Sequence, residues 1–158
     1  MRPERVLLAY KKGIFPWFEK DDFLIWWSPD PRMVLYLDEI KISKSMRLLM
    51  KKNKYEITYN RAFSEVVKSC AQVKRFGQSG TWITPGLMNV YNILHEKGYA
   101  HSVEIWDGVK LVGGLYGIDI GDIFCGESMF SKASNSSKLA LIYLSKELKK
   151  NNYKFMCL

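Results

Sequence analysis

From Ser102 to Phe130 the chain alternates apolar runs with turn signals: Asp107-Gly108 separates Ser102–Trp106 from Val109–Ile118, and Gly121-Asp122 separates that run from Ile123–Phe130. Asp-Gly favours the φ > 0 geometry of a tight hairpin, so the pattern predicts a three-stranded antiparallel meander. Elsewhere the spacing is helical. Pro3–Lys12 starts with Pro and Glu, carries Val6, Leu7 and Tyr10 on one side and stops at Gly13. Ser43–Lys52 reads as a helix capped by Ser43, and Arg61–Ala71 places Phe63, Val66, Val67 and Cys70 on one stripe. Pro85–Lys97 follows Thr84 as N-cap, with Pro85 at the first helical position, and ends at Gly98. A last helix is expected behind the cap Ser134-Asn-Ser-Ser, running to about Lys150 with Ala140, Leu141, Leu144 and Leu148 inward. Short strands are expected at Met33–Leu37, Tyr55–Tyr59 and from Tyr153 to Leu158, and a loop of charge and glycine over Lys74–Gly80. The aromatic segments Ile14–Phe18 and Leu24–Arg32 contain Pro16, Pro29 and Pro31, which lack a backbone donor, so they are loops or edge strands. Mixed strands and helices around a central meander give an α+β fold, with a parallel pairing through the last helix as an option.

Composition adds bounds. At 158 residues the length suits one real core. With 47% hydrophobic and 14% aromatic residues, the chain is globular and rich in rings. A net charge of +8 and a pI near 9.3 favour a polyanionic partner. Three widely spaced cysteines without a CxxC, together with only two histidines, argue against structural zinc and for reduced thiols in a cytoplasm. The first residues are polar, unlike a signal peptide, and no run approaches the length of a membrane span.

Three features carry candidate chemistry. Within Phe124–Ser131 one carboxylate, Glu127, stands among small and soft apolar residues, a costly placement without a partner or ligand. An edge-strand Glu facing solvent is the plainer alternative at that position. Second, Lys41, Lys44, Arg47, Lys51, Lys52 and Lys54 form an acid-free run whose helical spacing puts Lys44, Arg47, Lys51 and Lys54 on one face. A solvated surface is the plain reading; phosphate binding is the functional one. Third, Trp17, Trp26, Trp27 and Trp82 occupy irregular, Gly- and Pro-bounded contexts. Burial is the usual fate of Trp, but exposed rings beside a basic stripe are also how unpaired bases are stacked, which points to single-stranded RNA or a tRNA end. His95 and His101 have no acid at motif spacing and read as structural, and the cysteines read as small core residues.

Together these segments resemble one family, the bacterial leucyl/phenylalanyl-tRNA–protein transferases. The resemblance is carried by Leu8–Phe18, Trp26-Trp-Ser-Pro-Asp-Pro-Arg32, Ile42–Met46, Gly80-Thr-Trp-Ile-Thr84, His101–Glu104, Leu111-Val-Gly-Gly-Leu-Tyr-Gly117 and Phe124–Ser131, in family order across nearly the whole chain. It implies a fold related to the GNAT acyltransferases. It also implies transfer of Leu, Phe or Met from aminoacyl-tRNA to proteins beginning with Arg or Lys, marking them for degradation, without metal or acetyl-CoA. By position, Trp17 and Trp82 match rings that bracket the 3′-terminal adenosine, and Tyr10 and Tyr91 match tyrosines lining the same region. Lys44, Arg47 and Lys51 fall in the tRNA-backbone patch; Phe124, Gly126, Met129 and Ser131 match the aminoacyl pocket; Glu127 matches its carboxylate and is the catalytic candidate.

The expected organisation is a tRNA-binding part over residues 1–60 and a GNAT-like core over 61–158, in a monomer that meets no membrane. Two departures accompany the resemblance: relatives carry more chain before the Tyr10 helix, and the family's proton-handling Asp and its companion Gln lie on the strand after the long helix, which here reads Lys154-Phe-Met-Cys-Leu158 and carries neither. The chain therefore reads as shortened at both ends, with an exposed edge at its last strand, and is expected to bind the aminoacyl end of tRNA while transferring weakly. The alternatives are a non-catalytic RNA-binding module and an acetyl-CoA-dependent GNAT enzyme, the latter disfavoured because Ser131–Ser137 lacks a glycine-rich pyrophosphate loop.

Overall fold

The computed structural model describes residues 1–17, 25–73 and 81–157. In chain order it contains helix α1 (Pro3–Lys11), strands β1 (Phe15–Pro16), β2 (Trp26–Trp27) and β3 (Val34–Tyr36), and a 3-10 turn at Leu37–Glu39. Helix α2 (Lys44–Lys51), strand β4 (Glu56–Tyr59), α3 (Phe63–Ala71) and α4 (Pro85–Glu96) follow. The chain then forms β5 (Ala100–Asp107), β6 (Lys110–Asp119), β7 (Phe124–Ser131), α5 (Ser136–Lys150) and β8 (Phe155–Cys157). The loop expected over 74–80, the residues Phe18 and Leu24 of the aromatic segments, and Leu158 lie outside the described residues.

The meander forms as expected, with β6 antiparallel to both β5 and β7. Its first turn is shifted by one residue. Asp107 stays in the ladder opposite Lys110, leaving Gly108-Val109 as a two-residue loop with positive φ (+59°) at Gly108 and none at Val109. Glycine at the first central position alone is the type II′ pattern, whose twist matches that of the strands. The expected local signals also set α2 and α4: Ser43 accepts from the Met46 N–H (3.3 Å), and Thr84 accepts from the Leu87 N–H (3.3 Å). Gly13 and Gly98 follow α1 and α4 with φ of +72° and +79°.

The sheet order is β3-β8-β7-β6-β5-β4. The crossover through α5 makes β8 parallel to β7, and β3 pairs antiparallel with β8. This corrects the expected open edge: β8 lies between two strands, because β3 returns from the N-terminal part of the chain to cover it. The aromatic segments form a separate ribbon in which Phe15 pairs with Trp27 and Pro16 with Trp26.

Two cores lie on opposite faces of the sheet. Tyr116 and Ile118 point into one core, with Val6 and Tyr10 of α1, Val66 and Val67 of α3, and Leu87 and Tyr91 of α4. Leu115 points into the other, with Met46 of α2 and Leu139, Leu144 and Leu148 of α5. Both cores combine residues from before and after position 60.

Three expectations change here. Helix α2 ends at Lys51, so Lys54 leaves the basic face and pairs with Asp107 (3.3 Å). The basic helix packs with α5, whereas Trp26 and Trp82 pack with α1 and α4, so stripe and rings lie on opposite faces of the sheet rather than side by side. Finally, Ser134–Ser137 does not cap α5 through a side chain. Asn135 is the N-cap in a left-handed conformation (φ +65°) without such a bond, and the buried Ser136 hydroxyl bonds instead to the carbonyls of Val112 (2.9 Å) and Ala133 (2.8 Å).

Strand β6 carries glycine where its neighbours approach most closely. A Cβ at Gly117 would fall on the Cys125 carbonyl and the Phe124 ring. Gly117→Ala should therefore cost about 1–3 kcal/mol, read from the urea midpoint; an unchanged midpoint would show that the strands yield without strain.

Candidate active site at the Glu127 bulge

The ladder between β6 and β7 pairs Gly117 with Gly126 and Tyr116 with Ser128, so Glu127 is an extra residue in β7 with no partner opposite it. Such a bulge bends the strand, re-aims the side chain and resets which residues face which side. The reset is visible in packing. Cys125 and Phe130, an odd number of positions apart, both enter the α1/α3/α4 core, which strict alternation forbids.

The re-aimed carboxylate meets two tyrosines from different helices. Tyr91 of α4 donates its hydroxyl to Glu127 Oε2 at 2.9 Å, and Tyr91 and Tyr10 of α1 are 3.1 Å apart, hydroxyl to hydroxyl. A phenol has one proton, so with Tyr91's given to Glu127 the Tyr10 hydroxyl donates to Tyr91. The Tyr91 ring is further fixed edge-to-face against Tyr116, with centroids 5.2 Å apart.

Burial pushes the Glu127 carboxyl up to about 7, against the hydroxyls of Tyr10 and Tyr91 and the Arg32 charge, which favour its ionised form. Burial, then the neighbouring Glu127 charge, raises both phenols well above their ordinary value, so they remain neutral donors. The chain Tyr10–Tyr91–Glu127 thus holds one group able to gain and lose a proton near neutral pH.

Beside it opens a cavity of ≈ 360 Å³ lined by Leu115, Gly126, Glu127, Met129, Leu141 and Leu144, among others. Three of the singled-out residues, Gly126, Glu127 and Met129, therefore meet in one place. Phe124 instead lines a larger groove of ≈ 690 Å³ with His101, Asp119, Glu147 and Tyr153, which shares Leu144 with the smaller cavity. The smaller cavity is the better chemical candidate, because it holds the carboxyl poised near neutrality. Ser131 lies at the β7–α5 junction, bonded to the Ser136 hydroxyl (2.9 Å) and the Ala133 carbonyl (2.8 Å).

Trp17 and Trp82 meet across the chain and stack on each other, with centroids 5.5 Å apart and planes 13° from parallel. Trp17 is 43% exposed and Trp82 only 8%, so the pair presents one ring face to solvent. Lys44, Arg47 and Lys51 are exposed along α2. His95 bonds the Ala100 carbonyl (2.8 Å) and stacks on Phe63, and His101 contacts the Asn60 side chain (3.1 Å), in keeping with structural roles. Burial lifts the Cys125 thiol to about 12, leaving it no nucleophile near neutral pH. Among the described residues no cluster of three or more His, Cys, Asp and Glu side chains could hold a metal.

Sequence reasoning missed two charged residues. Glu104 is fully buried and accepts from the hydroxyls of Ser102 (2.5 Å) and Thr58 (2.6 Å). Arg32 has its Nε and Nη1 atoms buried. The alternation of β5 hinted at the first; nothing local in Ser28-Pro-Asp-Pro-Arg32 marks the second.

The fold and site define an α+β protein whose bulged central strand holds a proton-active carboxyl beside an apolar cavity. A solved structure with this fold is that of L-PGS from Bacillus licheniformis, which matches with a TM-score of 0.53 at 14% identity, over 98% of this chain and 49% of that one. Family models described as leucyl/phenylalanyl-tRNA protein transferase and its N-terminal domain match residues 34–157 and 1–30. The chain belongs to the leucyl/phenylalanyl-tRNA protein transferase family. Proteins of that name resemble it closely: one from Flavobacterium johnsoniae is 57% identical over 154 residues, 98% of this chain and 73% of that protein. Another from Christiangramia forsetii is 50% identical over 158 residues, covering 99% and 74% of the two chains. A third, from Shewanella baltica, is 52% identical over 156 residues, 99% of this chain and 65% of its own length.

The raised Glu127 carboxyl has a sign that can be checked. Between its ordinary value of 4.5 and about 7 the folded protein holds a proton that the unfolded chain has released. Stability should therefore fall as pH rises through that window. Glu127→Gln should flatten the decline and make the protein more stable above pH 7, by at most about 3 kcal/mol; denaturation midpoints at a series of pH values decide this.

Proposed function

We propose that this chain transfers an aminoacyl group, Leu, Phe or Met, from aminoacyl-tRNA to the α-amine of proteins that begin with Arg or Lys, marking them for degradation. The observation that carries this reading is Glu127: a carboxyl poised near neutral pH, at the end of a tyrosine relay, facing an apolar cavity. Family membership supplies the substrate class.

The reaction is aminolysis of an ester. The amine nitrogen bonds to the carbonyl carbon, the bond from that carbon to the ribose oxygen breaks, and a proton passes from the amine to the departing hydroxyl. Glu127 takes the amine's proton in its ionised form and returns it to the leaving oxygen in its neutral form. Tyr91 holds the carboxyl's other demands fixed meanwhile. The cavity walls of Met129, Leu115, Leu141 and Leu144 receive a side chain that is aromatic or unbranched at Cβ. Such walls separate side chains by only about 1–3 kcal/mol per methylene, which suits a tolerant specificity.

The exposed ring of Trp17, backed by Trp82, offers a stacking face for the terminal adenine. Admitting the base between the two rings requires them to part. Lys44, Arg47 and Lys51, on the opposite face of the sheet, reach phosphates farther along the tRNA, a separation a large RNA spans easily. The GNAT-like reading of the fold rests on the meander β5–β6–β7 followed by the parallel crossover β7–α5–β8. The protein acts as a monomer in the cytoplasm, a setting that suits its free cysteines.

Labelled Phe-tRNA, an Arg-starting peptide and a filter assay test the reading. Label reaching the peptide supports it, and Glu127→Gln should slow that transfer by about 10²-fold or more while leaving tRNA affinity nearly unchanged. RNA binding without peptide labelling would reduce the protein to a binding module. Replacing Lys44, Arg47 and Lys51 together by Ala should lower the salt slope of tRNA binding by roughly 2–3; an unchanged slope would place the phosphates elsewhere.

A further inference from the structure

Two of the three cysteines meet on neighbouring strands. Cys125 of β7 and Cys157 of β8 stand opposite each other in the parallel ladder. Neighbouring strands lie about 4.8 Å apart, within the span of about 4.4–6.8 Å that a disulfide bridges between Cα atoms. Opposed residues point to the same side of a sheet, and both side chains pack into the α1/α3/α4 core. The two thiols lie within hydrogen-bonding reach of each other. Cys70 belongs to the same core but sits on α3, outside the ladder.

Access to the two sulfurs is unequal. Both residues line a half-open cavity of ≈ 270 Å³ beside Gly13-Ile14 and Ser28-Pro29. Cys157 is partly exposed, whereas Cys125 is buried. Burial, then the Glu127 charge, then Cys157 itself hold the Cys125 thiol up at about 12, against the Arg32 charge. Cys157 is therefore the thiol that a reagent from solvent meets first. Neither sulfur has a part in the transfer chemistry derived for Glu127.

We propose that Cys125 and Cys157 are a modification site: in the folded protein they form a cross-strand disulfide, with a low-molecular-weight disulfide as oxidant. The Cys157 thiolate attacks one sulfur of that reagent, whose S–S bond breaks and releases the first small thiolate. The proton given up by Cys157 passes to it through solvent. Cys157 is left in a mixed disulfide and no longer presents the thiol that helped to raise Cys125. The Cys125 sulfur then bonds to the Cys157 sulfur, the mixed bond breaks, and the Cys125 proton goes to the second departing thiolate. Two protein thiols are oxidised and one disulfide is reduced to two thiols. Proximity offsets the high value of Cys125 in this second step, since well-placed intramolecular partners reach effective molarities of about 10⁵–10⁸ M. The bond closes the β7–α5–β8 crossover into a loop. It also ties together two strands that wall the Glu127 cavity, because Gly126 and Glu127 follow Cys125 and Met156 precedes Cys157. The inference does not depend on the transfer reaction.

The test uses the folded 158-residue chain, reduced and then freed of reductant. It is incubated with oxidised glutathione at mildly alkaline pH, the excess is removed, and remaining thiols are capped with N-ethylmaleimide in mildly acidic urea before trypsin is added. The expected product is Leu111–Lys132 joined to Phe155–Leu158, with the cap only on Cys70 in Ser69–Lys74. Before capping, the intact chain should be lighter by two hydrogens and regain them with dithiothreitol. The bonded form should melt about 3–10 °C higher than the reduced one. Cys157→Ser should abolish the bridge and the rise in Tm, Cys125→Ser should stop at glutathione held on Cys157, and Cys70→Ala should still bridge. Should a variant fail to fold, the digest of the unaltered chain decides alone. A cap on both Cys125 and Cys157, glutathione left on Cys157 of the unaltered chain, a bridge through Cys70, a bridge that forms only in urea, or a lower Tm of the bonded form would each overturn the proposal.

Discussion

One extra residue in β7 governs the arrangement around it. A strand alternates its side chains, and the core on the α1/α4 side needs both Cys125 and Phe130. That demand is met only if the strand slips by one, and Glu127 is where it slips. The slip places a carboxyl where neither face offers it a regular strand neighbour, so its surroundings are supplied by helices. Tyr10 and Tyr91 come from elements 81 residues apart, and the tyrosine pair forms only because α1 and α4 pack on the same face of the sheet.

Electrostatics follows from that packing. Burial opposes the ionised form of Glu127, while two hydroxyls and a nearby guanidinium favour it, and the balance settles near neutral pH. A fully exposed glutamate would be ionised at all physiological pH values and a poor reservoir of protons. One buried without donors would stay neutral and take up none. The fully buried carboxylate Glu104 shows the contrast: it is held by the hydroxyls of Ser102 and Thr58 inside the β4–β5 pair, away from the cavity, and locks strand to strand.

The sheet divides the remaining chemistry. Rings that can stack a base belong to the face with α1 and α4, and the basic helix α2 belongs to the face with α5. A ligand that engages both must pass around the sheet. The two cavities near α5 share one lining residue, Leu144.

Most elements were legible in the sequence, because their signals are local. Ser43 and Thr84 cap the helices they precede, Gly13 and Gly98 end theirs, and the prolines keep the aromatic segments out of the main sheet. Glu127 stood out for the same reason, as one carboxylate in an apolar strand. What the sequence did not disclose depends on partners distant along the chain. The placement of β3 over β8, the separation of α2 from the tryptophans, the stacking of Trp17 on Trp82 and the burial of Arg32 Nε and Nη1 all arise from how the elements meet. Periodicity states which face of a strand or helix is apolar, but only packing decides what that face touches. The sequence by itself therefore determined the elements and the carboxylate's exceptional position, and the tertiary structure decided its ionisation, since that depends on burial and on hydroxyls brought from remote helices.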